Sequence, residues 1–240
     1  MKKKIGIVLG LLTFFGLIFF PFQTNAKGTE VKNDNNLHIL IQYKAVSKGC
    51  TLSTNDQVSN FGWGGWKLQS GVTNYYINYQ SISSKVSNNT VKSSIEGAFS
   101  TLQSAGGGVL FHYGGQSQEQ SASNNGINTI MWKTLPSNVV ALTYIWTDNN
   151  GRLAGADTIF NKRYSWSYTN YTGKNDCGGL KSGFDIKNIA THEFGHWMGL
   201  GDLYNASSKD LTMYGYASRG ELKKDTLGLG DINGVRAVWP

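Results

Sequence analysis

The stretch Thr191-His192-Glu193-Phe194-Gly195-His196-Trp197-Met198-Gly199-Leu200-Gly201-Asp202 contains the pattern H-E-x-x-H, and its spacing has a mechanical meaning. Side chains at i and i+4 stand one above the other on a helix, so the imidazoles of His192 and His196 can reach one metal ion. Glu193 then stands beside that ion, where it can take a proton from a bound water. A helix is expected here on independent grounds. Asp185 is a candidate N-cap after Ser182-Gly183, and Ile186, Ile189, Ala190, Phe194, Trp197 and Met198 cover one broad arc at helical spacing. His192 and His196 fall together on the flank of that arc, with Glu193 between them and the core. The chain has only 4 histidines, which makes coincidence a poor explanation of the pattern. The bland alternative is two surface histidines and a solvated glutamate on an ordinary helix.

The residues downstream of the motif strengthen the metal reading. Gly199 arrives where a glycine in the left-handed conformation can end the helix and turn the chain back. Asp202 comes next, able to bring a carboxylate to the metal. Two histidines, one carboxylate and a water make a tetrahedral catalytic zinc site with one open position. The expected ligands of a single catalytic zinc are therefore His192, His196 and Asp202. Nothing places His38 or His112 at the site, and both read as ordinary strand or sheet residues. Glu221 is a rival third ligand of the kind some zinc peptidases take from a later helix, but it stands in the turn-like Ser218-Arg219-Gly220-Glu221 and reads as surface. No motif indicates calcium.

The sequence at this point resembles a metzincin, the zinc-endopeptidase clan marked by H-E-x-x-H-x-x-G-x-x-H and a later methionine turn. Here the signature reads HEFGHWMGLGD, with aspartate in place of the third histidine, a variant similar to the snapalysin type of small secreted bacterial protease. Leu211-Thr212-Met213-Tyr214-Gly215-Tyr216 resembles the Met-turn, which implies that Met213 floors the zinc site. Leu229 to Trp239 resembles the closing helix of the matrixins, and Gly155 to Asn161 with Trp166 resembles their edge strand and its sequel. These matches cover residues 141 to 240 well and the chain from about 66 loosely. The resemblance implies an α+β zincin: a twisted mixed sheet with one backing helix, an active-site helix, and a C-terminal part with the Met-turn and a final helix. It implies peptide-bond hydrolysis with Glu193 activating zinc-bound water, Tyr214 or Tyr216 as candidates for an added hydrogen bond to the transition state, and substrate extended along an edge strand near Ala154–Ile159. Backbone hydrogen bonds would then hold the substrate, in a pocket walled by the active-site helix and the stretch after Met213.

The departures from that pattern also carry meaning. With only His38 and His112 left over, the second, structural zinc of animal matrixins is not expected. Lys48-Gly49-Cys50-Thr51 does not match the P-R-C-G of their inhibitory prodomain, and residues 27–62 are too few for one. Asp202 lowers the charge of the site relative to three neutral imidazoles, which weakens the metal's Lewis acidity or shifts metal preference.

Further out, Lys2, Lys3 and Lys4 head an apolar run from Ile5 to Phe20, followed by Pro21 and Thr24-Asn25-Ala26. That is the layout of a secretory signal peptide over residues 1–26, shorter than the ~20 apolar residues that span a bilayer. Without those three lysines the 22 basic residues become 19 against 15 acidic, so a formal charge of +7 falls to +4. The remaining basic residues are scattered, and no nucleic-acid footprint is visible. The expectation is a secreted, extracellular monomer acting on polypeptide, with no stable membrane association after signal cleavage. In an oxidising compartment Cys50 and Cys177, the only 2 cysteines, read first as one disulfide. Two free thiols, or one thiol as a metal ligand, stay open.

Of 240 residues, 40% are hydrophobic and 15% charged, with 30 glycines and 3 prolines, which excludes disorder and describes an uncharged, loop-rich surface. Residues 27–62 form a polar stretch around the strand-like Leu37–Ile41, readable as an N-terminal extension, a short propeptide or part of the mature fold; the catalytic domain is drawn at 63–240. Within it, strands are expected at 72–79, 109–113, 129–132, 139–146 and 156–160. A helix carries Val91, Ile95, Ala98, Phe99 and Leu102 on one stripe, with Asn89 or Thr90 as cap. Two other readings stand beside the protease: a binding or adhesion module using Trp63, Trp66, Tyr75 and Tyr76, and a zinc amidase acting on cell-wall peptides.

Overall fold

A computed structural model describes residues 30–31, 36–46, 49–69, 71–82, 85–106 and 108–239. The expected signal peptide, residues 1–26, lies outside the described residues. In chain order the elements are β1 (Glu30–Val31), β2 (Leu37–Lys44), β3 (Gly62–Trp63), β4 (Gly71–Ile77), α1 (Asn88–Gln103), β5 (Val109–Gln116), β6 (Thr129–Lys133) and β7 (Val139–Thr147). They continue with β8 (Leu153–Asn161), β9 (Ser165–Ser167), β10 (Gly183–Asp185), α2 (Ile186–Trp197), β11 (Leu200–Gly201), β12 (Tyr216–Ala217) and α3 (Leu229–Val238).

The main sheet runs β1-β2-β7-β8-β6-β4-β5. The pairs β5–β4, β4–β6 and β6–β8 are parallel, whereas β7 is antiparallel to both β8 and β2. This mixed sheet with three helices is an α+β, metzincin-like fold. The parallel strands need crossovers, and α1 supplies the one between β4 and β5. Its stripe of Val91, Ile95, Ala98, Phe99 and Leu102 is buried as the periodicity requires, but the cap is Ser87, whose hydroxyl accepts the Thr90 N–H. Phe99 stacks on Phe194 of α2 at 4.0 Å between ring centroids, which fixes the two helices together on one face of the sheet.

One expectation fails here. β8 is no edge strand: it lies between β7 and β6, and every residue from Gly155 to Asn161 is buried. The stretch read as an N-terminal extension or short propeptide contributes strands to the main sheet. β2 is an inner strand, paired with β7 from Leu37↔Trp146 to Tyr43↔Val139 and flanked on its other side by β1 and β12. Its alternation divides it between faces. Leu40 belongs to the core under the helices, while Ile41 and Tyr43 pack on the opposite face against Met131, Val139, Leu142 and Ile159.

The aromatic cluster read as a binding surface is largely interior. Trp66 and Tyr75 are buried, and of the four residues only Trp63 stands half exposed. Trp66 donates its indole N–H to the carbonyl of His196 at 2.9 Å, so this ring pins the end of α2. Cys50 and Cys177 form a disulfide. Among the described residues no helix is long and apolar enough to cross a membrane.

Candidate metal centre

α2 starts where its sequence says it should. The Asp185 carboxylate accepts the Asn188 N–H at 3.2 Å, capping a helix whose residues from Asn188 to Trp197 are all buried. The helix ends at Met198, and Gly199 follows with φ +93°, a conformation that favours glycine. A Cβ at that position would also meet the Trp66 carbonyl oxygen at 2.6 Å. The reversal at Gly199 brings Leu200 and Asp202 back beside the helix.

The carboxylate oxygen Oδ1 of Asp202 lies 3.2 Å from Nε2 of His192 and 3.7 Å from Nε2 of His196. One ligand atom from each of the three residues falls within 4.8 Å of the others. The imidazole tautomers follow from their other nitrogens. Nδ1 of His192 lies 2.8 Å from the Thr212 carbonyl, and Nδ1 of His196 lies 2.9 Å from the Leu200 carbonyl. A carbonyl can only accept, so each Nδ1 carries the proton and each Nε2 presents a lone pair to its neighbours. Both Nε2 atoms, both Asp202 oxygens and Oε1 of Glu193 are buried without a hydrogen-bond partner. Buried polar atoms are rarely left so, and five in one cluster mark a place for a cation. Two imidazoles and a carboxylate suit zinc.

The electrostatics agree. Burial holds His192 well below its ordinary pKa and brings His196 to about 4, so neither forms an ion pair with Asp202 near neutral pH. Burial also raises Asp202 and pushes Glu193 well above the carboxylate range, with the Thr143 hydroxyl pulling Glu193 part of the way back. A divalent cation reverses that preference and holds both carboxylates charged.

The surrounding shell includes residues that the motif does not reveal. Thr143 of β7 donates to Oε2 of Glu193 at 2.7 Å. With Glu193 ionised its carboxylate can only accept, so Thr143 spends its one proton there and Thr158 must donate to Thr143 at 2.9 Å, while the Trp197 indole donates to Thr158 Oγ1 at 2.9 Å. The turn Leu211–Tyr214 is held by Asp231 of α3, whose two oxygens accept the N–H groups of Thr212 and Met213 at 2.8 and 3.0 Å. That turn in turn presents the Thr212 carbonyl to His192. Met213 packs against Gly195, where a Cβ would lie 2.3 Å from its sulfur. No local signal in the sequence links Asp231 to His192, since the contact is made through tertiary structure.

Tyr204 is in electrostatic reach of Asp202, and its hydroxyl donates to the Ile41 carbonyl at 3.4 Å. Tyr216 stacks edge-on against Tyr204 and lies beside Tyr214. Glu221 is not a surface residue as its context suggests. It is buried, in electrostatic reach of the buried Lys224, whose ammonium donates to the Tyr214 carbonyl and whose pKa burial lowers to about 8. His38 stacks on Trp66 and His112 faces Asn74 from β5, so neither joins the cluster.

Residues 133–240 match the matrixin family model, a span that holds the whole cluster together with β7, β8 and every element from α2 onward. No curated protein matches the chain.

Proposed function

We propose, from the match of residues 133–240 to the matrixin family model, that this chain is a matrixin-like metzincin and a secreted zinc-dependent endopeptidase hydrolysing peptide bonds of extracellular proteins. The observation that carries the reading is the buried convergence of His192, His196 and Asp202, each imidazole with its Nδ1 proton spent on a carbonyl and its Nε2 unpartnered. Zinc bound there supplies Lewis-acid activation of a water and of the scissile carbonyl. The chain supplies the rest. Glu193 is the general base: Oε2 is held by Thr143, which leaves Oε1 to take the proton of the attacking water and pass it to the leaving amine. Thr158 and Trp197 orient that carboxylate through Thr143. Met213 fills the space behind the histidines as the Met-turn residue, and Gly199 permits the turn that delivers Asp202. Export is supported by the signal-like residues 1–26 and by the disulfide, which persists in oxidising compartments.

The test is hydrolysis of a general protein substrate by the purified protein and by Glu193→Gln, with metal content measured on both. Glu193→Gln is expected to keep its zinc and to lose activity by about 10²–10⁴-fold. A protein that takes up no zinc when purified in its presence sinks the reading.

A further inference from the structure

The cluster is more deeply buried than a working peptidase permits. His192, Glu193 and His196 have no exposed surface, and Asp202 is 3% exposed. A peptide carbonyl cannot reach these atoms until something moves, and β2 is the element whose bonding marks it as that part. On one side it is antiparallel to β7, the strand that carries Thr143. On the other it is parallel to β12: the N–H of Tyr43 donates to the Gly215 carbonyl at 2.9 Å, and that of Ala45 to the Ala217 carbonyl at 2.8 Å. Without β2, the β7 edge and the 215–217 stretch would face each other across a gap one strand wide, each offering unpaired backbone groups. That is a groove for an extended peptide, with Glu193 reached from its β7 wall through Thr143.

Gln42 supplies the second, independent observation. It is fully buried, and both its amide atoms lack a hydrogen-bond partner. Alternation puts it on the same face of β2 as Leu40, the helix face, opposite Ala141 and two residues along from the Leu40↔Thr143 pair. The preceding carbonyl, that of Ile41, accepts from the hydroxyl of Tyr204 at 3.4 Å, a residue in electrostatic reach of Asp202. As packing alone, an orphaned amide at this position is a liability. On the sheet face that carries Thr143, its chemistry complements the cluster: an amide oxygen suits a cation, and an NH₂ suits unpartnered carboxylate oxygens such as those of Glu193 and Asp202.

We propose that Leu37–Lys44 is this chain's own inhibitor, a strand lying where an extended substrate lies, with the Gln42 amide directed at the metal ligands, so that the full chain is latent until the strand departs. The proposal rests on the peptidase reading of the cluster. The strand is joined to the body beyond its C-terminal end by Cys50–Cys177, so a cut near the exposed Val46 frees β2 and leaves the disulfide intact.

The experiment uses the full chain with one recognition sequence for a site-specific protease inserted after Val46, loaded with zinc and compared before and after cutting. Two rates are read: passage of zinc to a colorimetric chelator, and hydrolysis of a quenched fluorescent peptide. A tethered strand competes at about millimolar effective concentration, so both rates are expected to rise by about tenfold or more on cutting. A synthetic peptide of residues 37–44 should reverse the rise, and the same peptide carrying Gln42→Ala should do so less well. In the uncut chain Gln42→Ala should raise both rates without changing zinc content. Equal rates before and after cutting, or loss of zinc together with loss of the circular-dichroism spectrum, make β2 a structural strand and overturn the proposal. The peptidase reading survives that outcome as long as Glu193→Gln abolishes hydrolysis. If neither form takes up zinc, the peptidase reading falls and takes the proposal with it.

Discussion

Two neighbouring stretches of the N-terminal part reach across to the C-terminal elements, and they are held in opposite ways. Leu37–Lys44 is bound by strand ladders to β7 and β12, and its Gln42 sits buried with no partner. Residues 50–63 are fixed by side chains and a covalent bond. Cys50 is tied to Cys177, Asp176 accepts the Ser53 N–H at 2.7 Å, and one oxygen of Asp210 accepts the N–H groups of Thr54 and Asn55 and the Thr54 hydroxyl. Gly62–Trp63 then pairs with Leu200–Gly201, immediately before Asp202. Backbone ladders can be re-formed with any extended peptide, whereas carboxylate clamps and a disulfide cannot be exchanged. The first stretch is therefore built to be replaced, the second to stay, and the boundary between them falls between Lys44 and Cys50.

The largest expected effect comes from breaking the fixed stretch. The disulfide closes a loop over a sequence separation of 127. Its removal in the double variant Cys50→Ser, Cys177→Ser should cost about 2–5 kcal/mol, toward the upper end for so long a loop. Urea denaturation reads this directly. A loss under about 1 kcal/mol would mean that the side-chain clamps alone hold the stretch, and the comparison would then rest on Asp176 and Asp210.

Asp210 tests those clamps at smaller scale. Asp210→Asn leaves buried N–H groups with a weaker acceptor and should destabilise the chain by about 1–3 kcal/mol. The wild-type effect also has a pH signature. Burial alone would raise the Asp210 pKa, but the Thr54 and Asn55 N–H groups, the Thr54 hydroxyl and Lys223 together hold it below its ordinary value. A carboxylate depressed in the folded state contributes its stability in full above the unfolded pKa of about 3.9, and the contribution fades as pH falls through the folded value. Below about pH 4, wild type and Asp210→Asn should therefore converge in denaturant midpoint. Parallel curves over that range would remove Asp210 from the set of clamps.

The metal centre and the two N-terminal stretches differ in how far sequence alone reveals them, for a physical reason. The metal centre is legible because its information is local: the spacing of His192 and His196, the Asp185 cap and the Gly199 turn all act within a few turns of helix. Strand β8 is legible as a strand but not as an inner one, because period and composition describe a strand's faces and not its neighbours. The same limit hides β2. Leu37–Ile41 reads as a strand, but its pairing with Tyr216–Ala217 spans most of the chain and leaves no trace in either segment. Thr143 and Asp231 escape sequence reasoning on the same ground, each reaching the site only through tertiary packing. Glu221 reads wrongly as surface because a turn-like context does not show that Lys224 is buried beside it.

The smallest effect, and the one that decides most about the exchangeable stretch, belongs to Gln42. Replacing a buried amide that has no partner by an apolar group of similar size removes a desolvation cost, so Gln42→Leu should stabilise the metal-free chain by about 1 kcal/mol. Most substitutions in a core destabilise, which makes the sign of this one informative. If the amide serves the metal centre, the gain should vanish or reverse once zinc is bound, because the variant forfeits an interaction that only the loaded site offers. Denaturation of wild type and Gln42→Leu, each with and without zinc, separates the cases. A gain of the same size in both states would make Gln42 a packing defect and β2 an ordinary strand, while a gain confined to the metal-free state ties the strand to the site it covers.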